Sequence, residues 1–258
     1  MSRRITLRYG PDRRQVGDLW LPGRSLEPVP VVVLVHGGFW RPPYTKRLLN
    51  RLAADVAEHG WAAWNVEYRR VGRWGGGGWP DPLSDVWQAL GHLAHLDGVD
   101  LDRVAICGHS AGAQLAVHAA WRASAKGDGG PMALRAVVAL AGLLDLVDAA
   151  DRGLGADAVV KILGGRPSDV PERYAAASPL ALLPLGLHQI VIHGEKDSVV
   201  PAEMSERYAA AAAAAGDQVV HQGVPGQGHL GMIDPGRPGW RAAAEHLGVL
   251  FGTSADVV

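Results

Sequence analysis

The chain has 258 residues, of which 48% are hydrophobic and 20% charged. That is long enough for one domain to bury a full core without disulfides or metals. Lysine and arginine number 25 against 26 aspartates and glutamates, so there is no basic excess of the kind a nucleic-acid binder uses to release counterions. The single cysteine, Cys107, excludes an internal disulfide and a thiolate zinc site, and it fits a reducing, cytoplasmic setting.

At the N-terminus, Arg3 and Arg4 are not followed by an apolar run, so no secretory signal is expected there. Residues 5–9 and 16–21 alternate in hydrophobicity, which predicts an antiparallel pair at a sheet edge. Residues 31–35, Val-Val-Val-Leu-Val, form a continuous apolar run of the sort buried on both faces of a parallel sheet. The apolar stretch is far short of the roughly 20 residues that span a bilayer. Comparable runs follow at 61–66, 103–107, 136–140 and 189–193, with a last strand at 218–224. Helical spacing fills the intervals at 44–59 (stopped by Gly60), 83–96, 111–125, 201–215 and 240–251. Pro201 suits a first helical turn, and the alanine run 209–215 reads as an ordinary surface helix.

Strand and helix alternating in this way predict an α/β fold, a doubly wound, mostly parallel sheet, with one domain over residues 1–258. Residues 143–184 interrupt the rhythm. They have no strand signal, several glycines and prolines, and only short helical pieces, which predicts a small helical cap insertion within the domain.

Gly108-His109-Ser110-Ala111-Gly112 follows one strand and opens a helix. Small residues let the chain turn sharply there and hold the serine Oγ out at the carboxyl edge of the sheet. A serine hydroxyl needs an adjacent base to act as a nucleophile. His59, His92, His95, His118 and His246 fall inside helical patterns, and His193 ends a buried strand. His109 sits in the turn but off the line of the nucleophile, where it is a candidate substrate contact. His229 lies in a glycine-rich loop after the last strand, where a fold with the chain order serine, acid, histidine needs its base. The acid that orients that imidazole should follow a strand between the two, and Asp197 does. Glu195 lies two residues too early, and Asp145 better suits a helix cap or the pocket. The backbone N–H of Ala111, just after the nucleophile, and the turn His36-Gly37-Gly38-Phe39-Trp40 are candidate donors to an oxyanion.

With these residues assembled, the chain resembles the α/β-hydrolases from Val31 to the C-terminal helix. His36-Gly37-Gly38, Tyr68-Arg69, Pro80 and Asp85 are similar to the motifs of hormone-sensitive-lipase-like esterases. In those, a tyrosine–arginine pair ends the fourth strand and a proline-containing turn leads to a helix carrying aspartate. The bulky Phe39 followed by Trp40 departs from their triple glycine and is similar to kynurenine formamidase (arylformamidase). The resemblance implies Ser110 as nucleophile, Asp197 as acid and His229 as base, with Gly38 and Phe39 joining Ala111 as oxyanion donors.

Trp40 and Trp79, in loops near the expected site, are candidate pocket walls beside His109, and Trp74 is a weaker one. The implied activity is cleavage of a small carboxylic ester through an acyl-enzyme. The alternative is an arylformamidase or amidase acting on N-formyl aryl amides such as N-formylkynurenine. A third reading, from another class, is a hydrolase-fold protein that binds a small ligand without catalysis. No metal or organic cofactor is implied. The expected partner is a small-molecule ester or amide rather than nucleic acid or membrane, and a monomer and a homodimer are equally compatible with the sequence.

Overall fold

Apolar, largely β-branched runs set the strands, and their alternate side chains sort onto two layers of core. In the computed structural model, which describes residues 2–23, 25, 27–72, 74–125 and 132–253, Val31, Val33 and Val35 enter one buried cluster and Val32 and Leu34 the other. This is the period-2 alternation of a strand covered on both faces. Residues 1 and 254–258 of the expected domain lie outside the described residues.

Among the described residues there are ten strands. The first four are β1 (Arg3–Arg8), β2 (Val16–Leu21), β3 (Val29–Val35) and β4 (Ala62–Val66). After the short β5 (Arg70–Val71) and β6 (Gly76–Gly77) come β7 (Val99–His109), β8 (Leu134–Leu140), β9 (His188–Gly194) and β10 (Val219–Val224). Eight of these make one sheet in the order β1-β2-β4-β3-β7-β8-β9-β10, while β5 and β6 pair separately. The pairs β1–β2 and β2–β4 are antiparallel, and every later neighbour is parallel. The alternating segments at 5–9 and 16–21 therefore form the antiparallel edge expected of them.

The helices are α1 (Asn50–Glu58), α2 (Asp81–Gly91), α3 (Ala111–Ala125), α4 (Leu146–Asp151), α5 (Leu154–Leu163), α6 (Pro171–Ala177), α7 (Ala202–Ala214) and α8 (Pro238–Phe251). Leu52 and Val56 of α1 share one cluster with Trp240 and Leu247 of α8. Val86 of α2, Leu115 of α3 and Tyr208 of α7 belong to the other. The helix expected over 44–59 opens as a 3-10 turn, Lys46–Leu49, capped by the Thr45 side chain, and its α-helical part is only nine residues long. The C-terminal helix starts two residues before its expected onset because Pro238 occupies its first turn.

Residues 143–184 hold α4, α5, α6 and a 3-10 turn, and no strand. Asp145 caps α4 by accepting from the N–H groups of Val147 and Asp148. Gly155, Ala156 and Asp157 are left-handed, which interrupts α5 near its start. The segment is tied to the helix behind Ser110: Leu143 N–H donates to the Ser110 carbonyl at 3.1 Å, and Gln114 Nε2 donates to the Ala177 carbonyl at 2.9 Å. Among the described residues no helix is long and apolar enough to cross a membrane.

Candidate active site

The end of β7 and the start of α3 approach too closely for side chains. A Cβ on Gly108 would lie 2.3 Å from the Gly112 carbonyl oxygen, and one on Gly112 would lie 2.2 Å from the Val35 carbonyl oxygen. Both motif glycines are thus required by backbone contact. Between them Ser110 adopts φ 57, the strained turn that presents a nucleophile at a sheet edge. Its N–H is anchored on the Leu140 carbonyl of the neighbouring β8 at 2.9 Å.

The sheet order sets the remaining geometry. β9 and β10 are parallel neighbours, so the loops leaving their carboxyl ends meet, and these loops carry Asp197 and His229. His229 Nδ1 donates to Asp197 Oδ2 at 2.6 Å. Asp197 Oδ1 accepts from the N–H groups of Val199 at 2.8 Å and Val200 at 3.0 Å. The Asp197 carboxyl is fully buried. Burial opposes its ionisation, but the hydrogen bonds from His193 and His229, the His229 charge and the Val200 N–H outweigh it and hold the carboxyl well below the usual carboxylate range. A fixed, ionised partner on Nδ1 leaves Nε2 of His229 as the free acceptor that a general base requires. The bond from Ser110 Oγ to that nitrogen is not among those formed here, and such bonds commonly tighten only with substrate in place.

Glu195, the earlier acid candidate, is exposed. Asp145 caps α4 and pairs with Arg207 at 3.4 Å, so neither carboxylate takes part in the pair with His229.

His109 tethers the His229 loop to the serine turn. It is buried, its Nε2 donates to the His229 carbonyl at 3.1 Å, and its ring lies 4.6 Å from that of His229. Burial, with the neighbouring His229, pushes its pKa down to about 3, so it stays neutral near pH 7 and ties the base loop to the serine turn. Trp40, the candidate pocket wall, has a φ of 54 and is wholly buried within the core cluster. Trp79 is half-buried and packs on that core, whereas Trp74 is exposed.

The turn after β3 lies against the serine: a Cβ on Gly37 would sit 2.8 Å from Ser110 Cβ. Gly38 (φ 112) and Phe39 (φ 52) are both left-handed. The Phe39 ring fills the space where a Cβ on Gly155 would fall, 2.5 Å from its Cδ1, so the 143–184 segment rests on this turn. Ala111 opens α3, where a backbone N–H has no partner within the helix.

One support of this turn, Glu67, was not singled out from the sequence, and the motif residues His36 and Tyr68 prove to brace it. His36 Nδ1 and Nε2 lie 2.8 Å from the Gly37 carbonyl oxygen and 3.0 Å from Glu67 Oε1, and Tyr68 O–H donates to the His36 carbonyl at 2.9 Å. Glu67 is buried, which opposes its charge, yet the His36 hydrogen bond and the charges around it hold its carboxyl below the ordinary range. A glutamate directly after an apolar strand was the available signal. Asp85, expected on the helix after the proline turn, forms a fork with Arg69: Nη2 to Oδ1 at 2.7 Å and Nε to Oδ2 at 2.9 Å. A further imidazole on Asp197, that of His193, was also missed. Among the described residues no cluster of three or more histidine, cysteine or acidic side chains is placed to hold a metal.

The family model described as BD-FAE matches residues 18–211. Esterase LipC of Mycobacterium tuberculosis (strain ATCC 25618 / H37Rv) is 30% identical over 256 residues, covering 92% of this chain and 62% of its own length. The chain thus spans less than two thirds of that relative. Among solved structures, a bacterial heroin esterase superposes with a TM-score of 0.76 at 24% identity, over 98% of this chain and 84% of its own. A truncated carbohydrate esterase from gut microbiota superposes with a TM-score of 0.83 at 20% identity, over 98% and 96%. The sheet order and these likenesses show the α/β-hydrolase fold, in keeping with the motifs similar to hormone-sensitive-lipase-like esterases.

Proposed function

The chain belongs to the BD-FAE family, and from that premise we propose that it is a serine hydrolase of small carboxylic esters, working through Ser110, His229 and Asp197. The observation that carries the reading is the 2.6 Å bond from His229 Nδ1 to a buried, ionised Asp197, on the same sheet edge as the strained Ser110. In the first step His229 Nε2 takes the hydroxyl proton as Ser110 Oγ attacks the ester carbonyl. The resulting oxyanion is met by the backbone N–H groups of Gly38, Phe39 and Ala111, each worth roughly 3–4 kcal/mol by deletion. Collapse breaks the ester bond, and His229 returns the proton to the departing alcohol. Water then attacks the acyl-enzyme and gives a proton to His229. Collapse releases the acid, and the proton goes back to Ser110.

Residues 143–184 act in this reading as the cap over the site, supported by the Phe39–Gly155 packing. An N-formyl aryl amide could be opened by the same groups, but the burial of Trp40 removes one reason to prefer an aromatic substrate. The named relatives are esterases, which favours the ester. The lone, buried Cys107 supports a cytoplasmic setting.

The test is turnover of p-nitrophenyl acetate, p-nitrophenyl octanoate and N-formylkynurenine, with fluorophosphonate labelling alongside. Ester cleavage falling on the order of 10^5–10^6-fold in Ser110→Ala, with labelling abolished, is the expected result. Preferential formamide cleavage would move the assignment to an arylformamidase. A parent protein that neither turns over nor is labelled would be a binding protein with a disarmed serine.

A further inference from the structure

Asp197 is held by more than the base. His193, at the end of β9, is buried, as is Ser205 on α7. The His193 Nε2 lies 3.1 Å from Asp197 Oδ2 and 3.0 Å from the Val200 carbonyl oxygen, while its Nδ1 meets Ser205 Oγ at 2.7 Å. Both neighbours of Nε2 are acceptors, so Nε2 carries a hydrogen. The oxygen it faces, Oδ2, also accepts from His229 at 2.6 Å, and Oδ1 takes the two backbone N–H groups of Val199 and Val200. Two imidazoles therefore share one carboxylate oxygen, and a hydroxyl fixes the ring of the second.

We propose that His193 is a positioning residue whose Nε2–H, fixed by Ser205, aims Asp197 at His229 and, by sharing Oδ2, tempers the pull of the carboxylate on His229. This rests on the triad reading above. Competition for a carboxylate's charge is a direct electrostatic effect: without the second donor, the negative charge acts on His229 alone and favours its protonated form. The sheet neighbours support the arrangement. Asp197 and, on the other side of the carboxylate, His229 face His193, while His109 on the serine turn and His221 on β10, itself beside Glu206, lie within electrostatic reach of it. Ser205 is the neutral polar partner from α7.

The experiment is the rate of Ser110 modification by a fluorophosphonate as a function of pH, read in the intact protein and in His193→Phe, His193→Gln and Ser205→Ala. This readout needs no knowledge of the substrate. His193→Phe should label about 10-fold more slowly on the plateau, and the acid limb of its profile should move up by roughly 0.5–1 pH unit. His193→Gln restores an N–H near the Nε2 position and should return the limb to that of the parent. Ser205→Ala, a milder change, should move the limb in the same direction by a smaller amount. An unmoved acid limb in His193→Phe, or a His193→Gln profile that matches it, would overturn the proposal and leave His193 a packing residue. Should His193→Phe fail to fold, an unmoved limb in Ser205→Ala has the same force. Absence of labelling in the parent would instead overturn the triad reading, and this inference with it.

Discussion

Asp197 has four acceptor directions and all are filled: two by backbone N–H groups on Oδ1 and two by imidazoles on Oδ2. Replacing it by asparagine keeps the size but turns one oxygen into a donor, which cannot face His229 Nδ1–H without forcing the other tautomer. In Asp197→Asn the plateau kcat should fall about 10^4-fold with little change in KM, as steady-state kinetics on a p-nitrophenyl ester would measure. The exposed Glu195→Gln should leave kcat within about 2-fold of the parent, because surface substitutions away from a site have small effects. That Ser110, Asp197 and His229 lie at one edge of the sheet was legible in the sequence because each follows the end of a strand, and strand ends of a parallel sheet share one edge. The His193–Asp197 contact was not legible, since it depends on a turn closed by Asp197 N–H on the Gly194 carbonyl at 3.0 Å. Nor was the positive φ of the buried Trp40, where residue type gives little warning.

At the scale of elements, the junction of β4 with α2 depends on one carboxylate. Asp85 is buried on α2 and binds Arg69 through the guanidinium fork and through the Arg69 backbone N–H at 2.8 Å. Gln15 Nε2, in the turn between β1 and β2, donates to Asp85 Oδ1 at 2.7 Å. One side chain thus joins the edge hairpin, the chain after β4 and the helix that packs on α3. Removing one partner of such a buried pair leaves the others unpaired, so Asp85→Ala should cost about 3–5 kcal/mol, read as a lower urea midpoint at unchanged m-value. Arg69 and Asp85 were each singled out through a motif likeness, but their pairing was not legible, because no periodicity links residues 16 apart. The sheet was easier to read: runs such as 31–35 are apolar at every position, which only a doubly covered strand tolerates. Helix limits were less legible at 44–59, where a side-chain cap at Thr45 starts a 3-10 turn instead of an α-helix. The left-handed residues 155–157 were also unreadable, since two of the three are not glycine.

For the whole molecule, the buried histidine beside the serine turn sets a pH window of stability. An unfolded histidine titrates near pH 6.5, whereas burial and the nearby His229 push His109 down to about 3 in the folded protein. Below pH 6.5 the unfolded chain therefore binds a proton that the native chain does not. The stability contributed by a neutral His109 is present above that pH and lost progressively as pH falls towards 3. Between pH 7.5 and 5 the loss amounts to about 2 kcal/mol, at 1.36 kcal/mol per pH unit. The depressed carboxylates, Asp18, Glu67 and Asp197 among them, have the same sign but a different window. Their contribution is complete above roughly pH 4–5 and is lost only as pH falls below the unfolded values near 4, so they are nearly silent between 7.5 and 5. His92 and His221, also lowered by burial, add to the slope in every variant alike. His109→Gln keeps an amide donor for the His229 carbonyl and removes the titration. Urea unfolding at pH 7.5 and pH 5 should give a stability difference about 2 kcal/mol smaller in this variant than in the parent. An equal difference in both proteins would mean that His109 is protonated in the native state at pH 5, and the neutral tether between the serine turn and the His229 loop would then have to be abandoned.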